Sequence, residues 1–465
     1  MKFNKLTTDQ QQALAFLKDF YTSDKQIATL SGYAGTGKTY LLNYFVNNIV
    51  KHSCCITAPT HKAVRIAEKA INKKGKTLHS LHGLRPNTDL STFNIDNVQF
   101  DTLGEPHIKN YKLVIIDECS QINQHLQTLN ESRAKSYGVK ILYVGDEAQL
   151  PPVKEDISKT FLIQNKYCMK EIVRQDNDNP LLELLTVLRD DIIDGTQKYL
   201  KFLSSNRNSI NSKGEGFIVS TNETFTKDTN TLFTNKEFGT KLDYCRLISY
   251  TNANIKVWNN YIRKNIIHHN DIICKEDLLT GYKTIVDEYL SPIVINSDDY
   301  TVSDIETRVS EHGFKMYYVQ LTNLLTNVPT HCLIVDHIDK SFKNYYDILN
   351  KLHFQAIYTR DVSMRRKCWK EYFEFKNRYL CLIDFELKNT DGTSRGFVTK
   401  DLDYGYGITS HKSQGSTYEN VLVNLNNMIK YNNKVVTYPK DKVIFRTKLF
   451  YVAASRASKK VHILI

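Results

Sequence analysis

Apolar positions along the chain fall into short continuous runs separated by stretches with apolar residues every three or four positions, the alternation expected of buried strands and amphipathic helices. Leu14, Leu17 and Phe20 predict a first helix, with Thr7 or Thr8 as its N-cap. An apolar run from Ile27 then leads into a glycine-rich stretch, and Leu41, Leu42, Phe45, Val46 and Ile49 form one stripe of a second helix. Further strands are predicted over Cys54–Thr57, over Tyr111–Ile116 and over Val139–Val144, with helices between them. Thr77–Leu81 can open another helix, and the polar, turn-rich residues 84–108 fit a small β-hairpin insertion. The second half repeats the pattern, with strands at Gly216–Val219, Arg246–Tyr250, Asn420–Leu425 and Val461–Ile465. A helix from Asn254 carries Ile255, Trp258 and Ile262 on one face. Between Asp287 and Lys400 short β segments such as Met316–Leu321 and Cys332–Val335 take over, as in an inserted β-barrel-like domain.

The glycine-rich stretch is Gly32-Tyr33-Ala34-Gly35-Thr36-Gly37-Lys38-Thr39, the complete G-x-x-x-x-G-K-[ST] pattern between strand and helix. Its glycines let backbone N–H groups curl around an anion, and the helix N-terminus adds partial positive charge there. Lys38 is placed to pair with the β- and γ-phosphates of ATP, and the Thr39 hydroxyl to ligate Mg²⁺. The strand over Tyr111–Ile116 ends in Asp117 and Glu118, suited to holding Mg²⁺ through water and to activating the attacking water, respectively. Gln149, in Gly145–Val153, carries an amide that can bond both a γ-phosphate and a neighbouring water. Gln10 offers a similar amide to an adenine edge.

Composition narrows the class. The chain of 465 residues has 41% hydrophobic and 24% charged residues and 9 prolines, an ordinary globular balance long enough for two to four domains. A formal net charge of +12 favours a polyanionic partner. The 9 cysteines form no C-x-x-C pair and are expected to be reduced, in a cytosolic compartment. The start lacks an apolar signal region and no run reaches the roughly 18 residues of a membrane span, so an unexported protein without membrane attachment is expected. Residues 339–378 hold ten Lys or Arg, five Asp or Glu and nine aromatics, a mixture suited to single-stranded nucleic acid, although Trp369, Tyr372 and Phe373 also fall at helical core spacing.

In order and spacing these stretches resemble superfamily 1B helicases, most of all the Dda-like helicases of bacteriophages and more distantly RecD-like helicases, over nearly the whole chain. Gln10 resembles the Q motif, Gly32–Thr39 motif I, Ala58–Ala63 motif Ia, Thr77–Ser80 motif Ib, Asp117–Ser120 motif II and Gly145–Val153 motif III. Glu171–Gln175 is similar to motif IV, Ile408–Thr417 to motif V and Tyr451–Ala457 to motif VI, where Ser455 stands in the place that threonine commonly takes. The resemblance implies an α/β fold of two RecA-like P-loop NTPase lobes with parallel sheets. Domain 1A would span 1–178, with a pin hairpin (1B) at 84–108. Domain 2A would span 179–286 and 401–465, and an SH3-like domain 2B with a helical extension would occupy 287–400.

The same resemblance implies that Arg456 and Arg174 reach the γ-phosphate when the lobes close, and that Gly415 and Ser416 face the nucleotide. It implies that Thr60, His61, His79, Thr409 and His411, together with Pro59, Thr77, Asn252 and Lys412, face DNA. Phe100 in the hairpin is the candidate wedge at a fork. The expected protein is an ATP- and Mg²⁺-dependent DNA helicase and translocase, moving 5′ to 3′ on single-stranded DNA and acting at single-strand/duplex junctions in replication, recombination or repair. It is expected to act as a monomer, with a single-strand-binding protein or replisome component as partner, in the cytoplasm of a phage's host if a phage encodes it. A translocase that strips proteins without separating strands, and a non-catalytic single-strand-binding subunit, stand as the alternatives.

Overall fold

The computed structural model describes residues 6–86, 100–102, 105–152, 155–173, 178–241, 243–287, 291–431, 434–435 and 440–465. The chain divides into two compact units, one of Met1–Gly83, Glu105–Ile262 and Gly407–Ile465, the other of Leu84–Gly104 and Arg263–Tyr406.

The first unit contains two sheets. In the first lobe the strand order is Gly75–Thr77, Cys54–Ala58, Leu113–Ile116, Lys140–Gly145, Ile27–Gly32, Lys166–Met169, and every pairing is parallel. Both faces are covered, which is why the central strands are almost wholly buried and Leu113–Ile116 is an unbroken apolar run. One face packs on Leu14, Leu17 and Phe20 of the helix Thr8–Thr22 and on Leu41, Phe45 and Val46 of the helix Lys38–Asn48. The N-cap of the first helix is Thr7: its hydroxyl accepts from the Gln10 N–H at 3.3 Å while Gln10 Oε1 accepts from the Thr7 N–H at 3.2 Å.

The second lobe orders its strands Gly407–Thr409, Cys245–Ser249, Tyr418–Asn424, Ala457–Leu464, Gly216–Ser220 in parallel, with Asn208–Ile210 antiparallel at one edge. The last strand of the chain begins at Ala457, earlier than the apolar run from Val461 indicates, because Ala457 already pairs with Tyr418. Leu184 and Leu188 of the helix Leu181–Asp194 and Phe450 and Tyr451 of the helix Lys440–Ala454 fill its core.

The second unit is built on a six-stranded sheet ordered Tyr379–Leu380, Pro329–Val335, Lys315–Asn323, Asp299–Val309, Leu278–Gly281, Leu402–Tyr404. The limits 287–400 are therefore too narrow for the inserted sheet. Leu278–Gly281 and Leu402–Tyr404 pair with each other and lie outside those limits, because a buried strand's own residues do not show which sheet it joins. Two helices, Phe342–Tyr358 and Val362–Arg378, pack together beside this sheet. Trp369 and Tyr372, 2% and 0% exposed, join Tyr345 and Leu349 in their shared core, their rings meeting edge-on at 5.6 Å. The helical spacing was thus a core signal, and neither ring is available for stacking on bases. The hairpin pairs Leu84–Pro86 with Phe100–Thr102; its turn and the side chain of Phe100 lie outside the described residues. Among the described residues no helix is long and apolar enough to cross a membrane.

Replacing Trp369 by alanine is expected to destabilise the protein by about 3–5 kcal/mol, read as a lowered urea midpoint, while any single-stranded DNA affinity of the parent is unchanged in the folded variant. Loss of DNA affinity at unchanged stability would instead mark Trp369 as a base-stacking residue.

Candidate nucleotide-binding site

The loop after the strand Ile27–Gly32 turns through Gly35 (φ 87°) and Gly37 (φ 81°) into the helix Lys38–Asn48. Gly37 is required twice over: its left-handed backbone disfavours a side chain, and a Cβ there would stand 2.6 Å from Gln10 Nε2. Gln10 is buried and already spends its amide on the loop, Nε2 donating to the Thr36 carbonyl at 3.3 Å while Oε1 completes the helix cap. The amide anticipated for an adenine edge is in this structure a brace under the phosphate loop. Lys38 Nζ donates to the Gly32 and Tyr33 carbonyls of its own loop, at 2.6 and 2.9 Å.

The strand Leu113–Ile116 delivers Asp117 and Glu118 to the same place. Asp117 Oδ1 accepts the Glu118 N–H at 2.9 Å, and Glu118 takes a left-handed backbone (φ 53°) that a non-glycine residue adopts at a cost. Both carboxyls have raised pKa values. Burial is the main cause for each; Asp117 is lowered in part by Lys38, whereas Glu118 is pushed further, to about 7, by the neighbouring Asp117. Two carboxyls this close share their protons as a pair. The positive charge of Arg456 acts in the opposite sense on Glu118.

A cavity of about 460 Å³ collects Gln10, Ala34, Gly35, Gly37, Lys38, Thr39, Asp117, Glu118 and Gln149 from the first lobe, with Gly415, Ser416 and Arg456 from the second. Its size falls in the range of small-molecule sites, roughly 300–1,000 Å³. Arg456 is buried, with Nε on the Val452 carbonyl at 3.1 Å, Nη1 on the Ser416 carbonyl at 3.3 Å and Nη2 on Ser455 Oγ at 3.0 Å. Gln149 Oε1 accepts from Gln414 Nε2 of the second lobe at 3.5 Å. Thr39 and Asp117 supply only oxygen donors, the ligand chemistry Mg²⁺ takes, and a divalent cation there would relieve the half-buried acid pair. Arg174 and Val153 lie outside the described residues; Val173, just before Arg174, lines the cavity and donates its N–H to the Gly35 carbonyl at 2.8 Å.

Three loop residues expected at the nucleotide do not line this cavity. Gly32 and Tyr33 line a second cavity, of about 420 Å³, on the other side of the loop, and Thr36 is fully buried with its hydroxyl on the Tyr33 carbonyl at 2.9 Å. In that second cavity the Arg189 guanidinium lies 4.4 Å from the centre of the Tyr33 ring. Arg189, Asp146, Gln414 and Tyr451 were not singled out from sequence. Asp146, Gln414 and Tyr451 fall inside stretches already flagged, but their partners lie hundreds of positions away.

The residues expected to face DNA do not line the nucleotide cavity. They gather at the carboxyl edges of neighbouring strands, where ligands of open α/β sheets bind. Thr60 caps the helix His61–Ile71 and Thr77 caps Leu78–Leu81, their hydroxyls accepting the Ala63 and Ser80 N–H groups, each at 3.2 Å. Pro59 precedes Thr60. The His79 pKa is lowered by burial and by the nearby His61. In the second lobe Thr409 caps Ser410–Ser413 through the Lys412 N–H at 3.3 Å, and Asn252 opens the helix Asn252–Tyr261 after the neighbouring strand. The His411 ring lies 6.5 Å from Tyr250 and 6.2 Å from Phe445.

A sequence profile for a family described as an AAA domain matches residues 5–207. Over 516 residues the chain is 26% identical to an uncharacterized protein, R530, of Acanthamoeba polyphaga mimivirus, covering 99% of each. It is 26% identical over 315 residues to the ATP-dependent DNA helicase dda of Enterobacteria phage T4, covering 64% of this chain and 67% of that protein. Among solved structures, the Pif1 helicase from Bacteroides in complex with ADP-AlF3 and ssDNA shares its fold, with a TM-score of 0.50 at 15% identity over 99% of this chain and 92% of that one.

The raised pKa of Glu118 has a sign. The folded group keeps its proton up to about pH 7, against an ordinary value of 4.5, so its contribution favours the folded state at low pH and is lost as pH rises through 7. Glu118→Gln should therefore melt above the parent at pH 8, with the difference vanishing near pH 4, in calorimetric scans across pH. Its ATP hydrolysis should fall by about 100-fold or more. A pH-independent difference in melting would show that Glu118 is not a strained acid.

Proposed function

We propose that this chain is a superfamily 1B DNA helicase of the Pif1 and Dda kind and couples ATP hydrolysis to 5′-to-3′ movement along single-stranded DNA and to opening of the duplex ahead. The observation that carries the reading is the convergence of Lys38, Thr39, Asp117, Glu118, Gln149, Gly415 and Arg456, delivered by two separate sheets, on one cavity. Support for the nucleotide and for single-stranded DNA comes from the ATP dependence in the name of the phage relative and from the ADP-AlF3 and ssDNA bound in the structural neighbour.

In this mechanism the loop amides and Lys38 bind the phosphates, so Lys38 must leave the Gly32 and Tyr33 carbonyls when ATP arrives. Mg²⁺, held by Thr39 and Asp117, would supply the charge that offsets the β- and γ-oxygens. Glu118 orients the attacking water and accepts its proton. Arg456, with Arg174, faces the charge that develops on the transferring phosphoryl group, and Gln149 senses the γ-phosphate across from Gln414. Loss of that phosphate loosens the two lobes, and the paired DNA-facing edges, Pro59 to His79 in one lobe and Asn252 to Lys412 in the other, alternate their grip. Phe100 in the hairpin is the proposed wedge. One chain carries every group named, so a monomer suffices for hydrolysis.

ATP hydrolysis measured with and without single-stranded DNA, alongside unwinding of duplexes with a 5′ or a 3′ tail, tests the proposal. Stimulated hydrolysis and opening of the 5′-tailed duplex alone are expected, with Lys38→Ala inactive in both assays. Stimulation without opening of either duplex would make the chain a translocase, and absence of hydrolysis would make it a binding subunit.

A further inference from the structure

Tyr451 lies in the helix Lys440–Ala454, fully buried in the second-lobe core, yet its hydroxyl reaches across to the first lobe. It accepts a hydrogen bond from the Ala34 backbone N–H at 3.1 Å and donates one to Asp146 Oδ2 at 2.9 Å. Burial, reinforced by Asp146, holds the phenol proton in place well above the ordinary tyrosine range, so the group serves Asp146 as a donor throughout the working pH range. Ala34 belongs to the phosphate loop. Asp146 shapes the turn that carries Gln149: its Oδ1 accepts the Ala148 N–H at 3.0 Å, and its carbonyl accepts the Gln149 N–H at 3.1 Å. One hydroxyl thus joins the helix that leads to Arg456 to both the phosphate loop and the Gln149 turn. Lys448, one turn earlier on the same helix, adds a further cross-lobe bond from Nζ to the Glu147 carbonyl at 2.9 Å.

The geometry points to Tyr451 as a positioning residue for hydrolysis, its hydroxyl holding the second lobe in register with the phosphate loop so that Arg456 and Gln149 occupy their places together. The inference rests on the reading of the cavity as an ATP-hydrolysing site. Tyr451 itself does not line that cavity and acts through the groups that do. A residue that served packing alone would need its ring and not its hydroxyl.

Tyr451→Phe keeps the ring and removes only the hydroxyl. ADP needs chiefly the phosphate loop, whereas ADP with aluminium fluoride, a mimic of the transferring phosphoryl group, needs groups from both lobes. The variant is expected to bind ADP within about twofold of the parent and to keep its KM for ATP, while kcat and the affinity for ADP with aluminium fluoride each fall about 10- to 100-fold. Asp146→Asn, isosteric but without the charged acceptor, is expected to show the same selective loss and serves if the phenylalanine variant does not fold. Unchanged kcat and fluoride-complex affinity in the folded variant overturn the proposal. So does an equal loss of ADP and fluoride-complex affinity together with a lowered melting temperature, the pattern of a packing residue. A parent chain that hydrolyses no ATP overturns the reading of the cavity itself, a result obtained before any variant is made.

Discussion

Asp117 and Glu118 are two acids at the end of one strand, withdrawn from water far enough that ionising both is costly. Much of the surrounding structure answers that cost. Lys38 approaches from the phosphate loop, and the charge of Arg456 arrives from a different sheet. Each lobe supplies one of the positive charges that act on Glu118, so the electrostatics of the site favour the two lobes being held together. A bound nucleotide with its cation completes the same balance, which links occupancy of the cavity to the arrangement of the lobes.

The strand order places this chemistry beside the surface expected to face DNA. Cys54–Ala58 and Leu113–Ile116 are neighbours in one sheet, and the Asp117 N–H donates to the Thr57 carbonyl at 2.8 Å. The residues that follow these two strands are Pro59 and Thr60 on one side and the acid pair on the other. A shift in the acids is therefore one backbone hydrogen bond away from the strand that leads into Pro59 and Thr60, the first group proposed to face DNA. The second lobe repeats the juxtaposition within a single segment, where Thr409 and His411 stand a few residues before Gly415 and Ser416.

What could be read from the chain was local. The phosphate loop, the acid pair and the alternation of strands and helices depend on residues a few positions apart, and each left a pattern. Tyr451 and Ala34 are separated by 417 positions, and no periodicity connects them. The limits of the inserted sheet were hidden for a related reason: Leu278–Gly281 looks like any buried strand, and only its pairing with Leu402–Tyr404 shows which sheet it serves. Trp369 and Tyr372 carried two patterns at once, basic–aromatic composition and helical spacing, and burial against Tyr345 and Leu349 decided between them.

Lys38 rests on the carbonyls of Gly32 and Tyr33, two neutral acceptors within its own loop. Any ligand must compete with that internal docking, and a neutral or singly charged group gains little by displacing it. A triphosphate tail, with several negative oxygens in reach of the same ammonium, gains far more. This internal docking thereby sets a threshold for charge, favouring di- and triphosphates over nucleosides, monophosphates and other small anions.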